Sequence, residues 1–582
     1  MSQTPTGWTL IVRYSGFAVV ATLANLGAQR LVLRLGETPA LFALAVLVGT
    51  ALGLVVKYAL DKRWIFLDPE TGVKANSRKF ALYTVMGLVT TAIFWGSETL
   101  FWQIGGTHTA REIGAVLGLA VGYMVKYQLD KRFVFTPAGR GRVMELSGWG
   151  RYPHQETRLS TPRDAQDVAA LLGDGPVIAR GSGRAYGDPA IGAHAVSTRH
   201  LNRMIAFDES TGALIAEAGV TLGEIIDAFL PRGWFLSVTP GTKFVSLGGA
   251  IAADVHGKNH HSEGSFGVFV DWFDLMGADG TVTRCSRNDN ADLFRWTLGG
   301  MGLTGIILRA AIRLKKVESG WIRQTTIATR NLDEALAAFE QTYDATYSMA
   351  WIDCAATGAK MGRSIVMNGE HATRDDLPPL ARPRPLDTAL HRDLSVPFDF
   401  PGFALNPWSI RAFNELYYVK GKRTPPVSIT GIDSFFYPLD AIRNWNRIYG
   451  RKGFMQFQCV VPLESHAEGL RAILNAITRT GAGSFLAVLK RFGPQDSRLS
   501  FPMEGYTLAL DFPLTRRSLD LMPELDRITA DHGGRFYLAK DSRMNADTLR
   551  RTDPRWQAFA EMRRQQGLTQ AFASAQSERL GL

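Results

Sequence analysis

The chain has 582 residues, 46% hydrophobic and 20% charged, with a formal net charge of +11. That length predicts two or three domains, and the basic balance points to anionic surfaces such as phospholipid headgroups or phosphorylated substrates. No Lys/Arg-rich tract or nucleic-acid motif accompanies the charge, so nucleic acid is not expected as a partner. The three scattered cysteines, Cys285, Cys354 and Cys459, give neither a disulfide framework nor zinc spacing and favour a reducing compartment.

Four apolar segments open the chain, at about 10–33, 39–58, 80–102 and 110–128. The second holds "ALFALAVLVGTALGLVV" without a charge, close to the length that crosses hydrocarbon. Recurrence of such segments, with no small-residue cleavage site after the first, argues against a cleaved signal peptide. An internal repeat supports the short fourth segment: "GTALGLVVKYALDKRWIF" (Gly49 to Phe66) matches "GLAVGYMVKYQLDKRFVF" (Gly118 to Phe135). Two units of two helices each are expected. Lys57, Lys62, Arg63, Lys74, Arg78 and Lys79 lie between segments two and three, and Lys126, Lys131 and Arg132 lie at the end of the fourth. By the positive-inside rule this puts both termini, and everything after the helices, in the cytoplasm of a multi-pass inner-membrane protein. The repeated KY-x-LDKR-aromatic motif reads either as an interfacial anchor or as a grip on a lipid phosphate. The four-helix layout and doubled motif resemble the GtrA-like family over about 8–137, which implies a role in moving polyprenyl-phosphate-linked sugars.

Residues 138–145, within "TPAGRGRVMELSGWGRYP", read as a Gly- and Arg-rich linker. In "TPRDAQDVAALLGD", Thr161 and Pro162 are placed as N-cap and first residue of a helix. "PVIARGSGRAYGDPA" follows, a short strand and then Gly181, Gly183 and Gly187, a pattern that turns backbone N–H groups toward one point. It lacks the spacing of a dinucleotide fingerprint or a phosphate-binding loop. "TPGTKFVSLGGAIAADVHGKNHHSEGSFG" and "LFRWTLGGMGLTGIILRAAIRL" supply two further glycine-rich loops. His256 and His260, four apart, with His261 adjacent, raise a metal reading. Gly257 and Gly264 disfavour the helix it needs, and no HExxH-type acid is nearby, so no metal is expected.

These three blocks resemble the flavin-binding core of the vanillyl-alcohol-oxidase class, and within it the decaprenylphosphoryl-β-D-ribose 2-oxidase family, from about Leu146 to the C-terminus. The resemblance implies an α+β FAD-binding domain at 146–317, an antiparallel-sheet cap at 318–535, and a C-terminal segment, 536–582, returning to the FAD domain. The implied FAD contacts are Arg180, Gly181, Ser182, Gly183, Arg184, Ala185 and Tyr186, then Pro240, Gly241, Thr242, Gly248, Gly249 and Ala250. His256, Gly257, Lys258, Asn259, Ile306 and Tyr537 complete them. Many relatives, the aldonolactone oxidases among them, carry a flavin-bonded histidine where this chain has Arg184, so FAD is expected to be held non-covalently.

From about Ser319 aromatic residues become denser and several stretches alternate with period two, the pattern of antiparallel strands. In "GFMQFQCV", Gln456 and Gln458 share one face, where they either bind sugar hydroxyls or meet solvent. The resemblance places Trp351, Phe436, Gln456, Gln458, Lys490, Phe492, Thr507, Ala509 and Lys540 around the substrate. Thr507 and Ala509 stand where mycobacterial relatives carry Asn and Cys, and Phe436-Tyr437 where a Tyr-His pair is expected. The chemistry therefore needs no thiol at position 509. Lys540 is the expected base or proton relay, with an ion pair to Asp541 as its alternative role. Tyr537 packs on the flavin, and Lys258 and His256 lie beside it.

The function implied is a membrane-tethered oxidoreductase that converts a ring hydroxyl of a polyprenyl-phosphate-linked pentose to a ketone. A separate NADH-dependent reductase would complete the epimerisation for cell-envelope polysaccharide, with quinone or oxygen as electron acceptor. The alternatives are a soluble-sugar oxidase of the aldonolactone type with a membrane anchor, and a transporter whose soluble domain only binds the lipid-linked sugar.

Overall fold

The computed structural model describes residues 8–36, 38–66, 73–130, 134, 141–387, 394–402 and 404–582. The Lys131–Arg132 part of the second repeat and the first half of the expected linker lie outside them. The chain divides into two compact units, residues 1–140 and 141–582.

The described residues of the first unit form four helices: α1 (Trp8–Leu33), α2 (Pro39–Leu60, continued by a π-helical turn Asp61–Ile65), α3 (Val73–Gly105) and α4 (His108–Leu129). The repeat is visible in local chemistry. Thr38 caps α2 and Thr107, 69 residues later, caps α4, each accepting from the N–H three residues on. Gly49 lets α2 close on α1, where an added Cβ would stand 2.4 Å from Asn25 Oδ1. Gly118 does the same for α4 on α3, 2.7 Å from Ser97 Cβ. Large apolar side chains face outward, among them Leu23, Leu47 and Leu88. Among the described residues three segments are long and apolar enough to cross a membrane: Val12–Leu33, Pro39–Ile65 and Lys79–Gly105. α4 lies where the sequence predicts it but is not among them; it carries Arg111, Glu112 and Lys126 within 22 residues.

Lys57 and Lys126, the first lysine of each motif copy, are buried. Lys57 Nζ pairs with Asp61 at 2.8 Å and lies 3.9 Å from the centre of the Tyr14 ring. Lys126 pairs with Asp130 at 2.5 Å and lies 3.5 Å from the centre of Tyr83, again 69 residues on. The Tyr83 hydroxyl donates to Asp61 across the repeat, at 2.7 Å. Both lysines are buried because each finds an anion one turn away and an aromatic face beneath it. Arg63 and Trp64, by contrast, are exposed, with the guanidinium over the indole ring.

In the second unit, Arg142–Ser147 pairs antiparallel with His154–Ser160, which continues in parallel to His194–Ser197 and Ile178–Arg180. Part of the expected linker is therefore an edge strand, held by backbone pairing. The predicted helix begins later than Pro162: Asp164 is its cap, its carboxylate accepting from Asp167 N–H. A second sheet is antiparallel, in the order Met204–Asp208, Ala213–Glu217, Ile306–Lys316, Val270–Met276 and Val282–Ser286, with Trp234–Leu236 also pairing the central strand.

The third sheet is the large one. Its order is Val427–Gly431, Trp321–Thr329, Ser364–His371, Tyr347–Ile352, Ala487–Phe492, Gly505–Pro513, Phe454–Pro462 and Arg535–Phe536, antiparallel throughout. Helices His466–Thr480 and Arg516–Asp531 pack on it through Leu470, Ile473, Leu474 and Ile477, and Leu521, Leu525 and Ile528, at helical spacing. The C-terminal residues return to the start of the unit: Ala573 N–H donates to Val177 O, and Arg579 pairs with Asp188 at 2.7 Å.

Candidate active site

A cavity of about 460 Å³ opens where the glycine loops meet the large sheet. The loop after strand Ile178–Arg180 contributes Gly181 to Tyr186, the second loop Pro240 to Thr242 with Gly248 and Gly249, and the third Gly302 and Gly305. The first two loops touch: a Cβ on Gly181 would stand 1.9 Å from Ser246 Oγ, so only glycine allows this approach. The large sheet supplies the opposite wall through Trp351, Gln456, Gln458, Lys490 and Ala509, and Tyr537 and Lys540 close one end.

Strand alternation puts Gln456 and Gln458 on the cavity face and Phe457 in the core behind. Gln456 Nε2 donates to Asp511, its cross-strand partner in register. Gln458 Nε2 donates to His256 Nε2 at 3.2 Å; since an amide nitrogen only donates, the imidazole proton sits on Nδ1. Burial, with Lys490, His260 and Lys540 nearby, keeps His256 neutral, well below its ordinary pKa. His256 Nδ1, Gln456 Oε1 and Asp511 Oδ2 are all buried without a partner among the described residues.

Lys540 Nζ lies 3.6 Å from the centre of the Tyr186 ring. Burial lowers its pKa, Asp511 works against that shift, and Lys490 adds to it. Burial likewise lowers Lys490, to about 8, and raises Asp511. Asp541 does not pair with Lys540; Arg579 takes it at 2.9 Å. Tyr537 donates its hydroxyl to Ala253 O at 3.1 Å and stacks on Phe501. Lys258 donates to Phe435 O beside Phe436, and burial lowers its pKa strongly. Arg184 holds its guanidinium 4.1 Å from the Trp149 ring centre.

Six of the residues expected at the site do not line the cavity. Arg180 turns away, donating to Ser147 O and Ala190 O. Ala250 is fully buried in the core. Asn259 donates to Ser237 O and Glu263. Ile306 points to the far face of its strand, leaving Ile307 at the cavity. Phe492 packs behind the His256 ring, centroids 4.9 Å apart, and Thr507 accepts from Gln458 from behind. His260 and His261 hold loops, through Gln495 Oε1 and Ala345 O. Among the described residues no group of three or more His, Cys, Asp or Glu could hold a metal.

Asp511 and Trp149 escaped the sequence reading. Period two from Ala509 reaches Asp511; nothing local marks Trp149, which joins the site through Arg184 and Trp445.

The donors and acceptors suit an extended dinucleotide: a backbone-lined groove, an aromatic and amide wall, and buried polar atoms awaiting partners. Residues 158–286 match the FAD binding domain. The chain is 38% identical over 449 residues to decaprenylphosphoryl-beta-D-ribose oxidase of Mycolicibacterium smegmatis, across 75% of this chain and 97% of that protein. The chain belongs to the decaprenylphosphoryl-β-D-ribose oxidase family. Members of this family are FAD-dependent oxidoreductases, and this chain is one, with FAD as its cofactor. An uncharacterised protein of Streptomyces coelicolor is 32% identical over 372 residues, 62% of this chain and all of that one. A putative D-arabinono-1,4-lactone oxidase of Neurospora crassa is 30% identical over only 118 residues, about a fifth of each chain. The match to the mycobacterial family member leaves a quarter of this chain outside it.

Proposed function

We propose that this protein oxidises one ring hydroxyl of a polyprenyl-phosphate-linked pentose to a ketone, held at a membrane by its N-terminal helices. The substrate class follows from the mycobacterial relative, matched almost end to end. The observation that carries the chemistry is Lys540, a lysine of lowered pKa projecting into the cavity next to two amides and a neutral imidazole.

Bound in the groove, FAD supplies the hydride acceptor for the carbinol carbon. Lys540 in its neutral form takes the hydroxyl proton. Gln456 and Gln458 offer their carbonyl oxygens to neighbouring sugar hydroxyls, and His256 Nδ1–H donates to a sugar oxygen. Lys258 and Lys490 offer N–H donors to the phosphate or sugar oxygens. Residues 146–317 with 536–582 hold the cofactor, and 318–535 form the cap. Such a keto product requires a second, reducing enzyme to complete an epimerisation, and reoxidation requires quinone or oxygen.

In this reading residues 8–137 form a GtrA-like domain with four spans and both termini cytoplasmic, and it helps move the lipid-linked sugar. Tethering keeps the active site at the surface that holds the polyprenyl tail, raising effective concentration. A lactone oxidase is the second reading. Arg184, where those enzymes carry a flavin-bonded histidine, speaks against it, as does the short match.

Anaerobic mixing of the purified protein with farnesyl-phosphoryl ribose and its epimers tests the proposal. Bleaching of the oxidised-flavin absorbance by one epimer is expected. Bleaching by free lactones alone sinks it.

A further inference from the structure

The helix Pro407–Arg423 carries apolar residues where a surface helix normally carries charge. Ile410 and Asn414 are its buried side, and Phe413 and Tyr417 form part of the cavity wall. The outward stripe is Trp408, Ala412 and Leu416, spaced by four; Trp408 is 80% and Leu416 72% exposed. Arg411, Lys420, Lys422 and Arg423 flank the stripe, all exposed. Its one acid, Glu415, is paired with Arg363 at 2.7 Å. In the segment leading into the helix, Phe398 is also exposed and stacks on Phe400.

Single exposed apolar residues are ordinary, but a helical stripe of Trp and Leu bordered by lysine and arginine has the make-up of an interfacial helix. The aromatic and aliphatic groups partition into the acyl boundary, and the cations meet anionic headgroups. Phe413 belongs to both faces: it is 43% exposed and lines the cavity. The apolar surface is therefore continuous from the outer stripe to the cavity wall. We infer that this face of the catalytic unit docks on an anionic phospholipid bilayer, with Trp408 and Leu416 in the acyl boundary, so that one helix separates lipid from cavity. A lipid-tailed substrate can then reach the cavity past Phe413 without its tail crossing water. This last step rests on the proposed substrate; the docking does not.

Cys285, Cys354 and Cys459 are buried, so an introduced cysteine can be labelled selectively. The full chain carrying Trp408→Cys is labelled with a nitroxide in vesicles of phosphatidylcholine and phosphatidylglycerol. Ser210→Cys, on an exposed turn, is the aqueous control. At position 408 the label is expected to collide with oxygen and be shielded from a water-soluble nickel chelate, with the reverse at 210. Equal access of the chelate to both positions overturns the inference. So does shielding of 408 from both probes, which means that a protein surface covers the helix.

A kinetic arm uses Trp408→Asp with Leu416→Asp, neither of which lines the cavity. KM is expected to rise about tenfold for a long-tailed substrate in vesicles and to stay unchanged for a short-tailed soluble one, the signature of lost local concentration. Equal KM changes for both tails overturn the docking. If the wild type turns over neither sugar, the proposed function fails while the label accessibility still decides the docking.

Discussion

Lys540, in the turn after strand Arg535–Phe536, and Asp511, on strand Gly505–Pro513, are close enough that the charge of each opposes the effect of burial on the other. Burial favours the neutral amine and Asp511 favours the ammonium, so Asp511 sets how far the lysine falls below its ordinary pKa. As a base Lys540 acts deprotonated, so flavin reduction should rise with pH along a limb below the normal lysine range. Lys540→Met should slow reduction about 10²–10⁴-fold. Asp511→Asn removes the charge that holds the proton, so the limb should move to lower pH with flavin still bound. Rapid-mixing reduction rates across pH decide this; an unmoved limb in the Asn variant removes Asp511 from the proton inventory.

Arg184 packs its guanidinium against Trp149 and Phe244 at the cavity edge, where a histidine would be needed for covalent attachment. Acid precipitation should therefore leave all the flavin in the supernatant and a colourless pellet. Arg184→Ala should weaken FAD binding, read as faster flavin loss on dilution, without making the flavin covalent. A yellow pellet from the wild type contradicts this.

His260 and His371 are held neutral by burial, each with its pKa lowered to about 4. Both are depressed below the unfolded value of 6.5, so the unfolded chain binds more protons between the two values. Stability from these sites is complete above about pH 6.5 and falls as the pH drops toward about 4. The apparent Tm, followed by release of flavin fluorescence, should decline across that window. His371→Phe, placed among Phe235, Tyr347 and Phe436, should flatten the decline. An unchanged slope argues that other groups dominate.

Asp61 accepts from both Lys57 and Tyr83 in the first unit. Asp61→Ala takes the carboxylate away from the buried Lys57 ammonium, a loss of about 3–5 kcal/mol when one partner of a buried pair is removed. Lys57→Met with Asp61→Leu should cost much less, because neither charge remains. Thermal unfolding of the detergent-solubilised chain, compared across Lys57→Met, Asp61→Leu and the double variant, measures the coupling. Additive losses would mean the pair contributes nothing.

The repeat of Lys57 and Asp61 in Lys126 and Asp130 was legible because two copies of one unit leave the same residues at the same spacing. Its partners Tyr14 and Tyr83 were not, since contacts across helices leave no local period. The glycine loops could be read because close backbone approach excludes other residues, as at Gly181 beside Ser246. Arg180, in the same block, could not be placed: a strand-end arginine reaches a cofactor or a carbonyl with equal ease, and Ser147 O and Ala190 O took it.

Local order of the chain thus determined the apolar helices, the alternation of the cap strands and the glycine turns, since each depends on neighbours within a few residues. Only the tertiary structure decided which side chains converge. Asp511 meets Gln456 through strand register, Trp149 meets Arg184 through loop packing, and the stripe of Trp408 and Leu416 is left facing outward. Those relationships depend on residues far apart in the chain, brought together by burial of a shared core, and no local pattern encodes the distance between them.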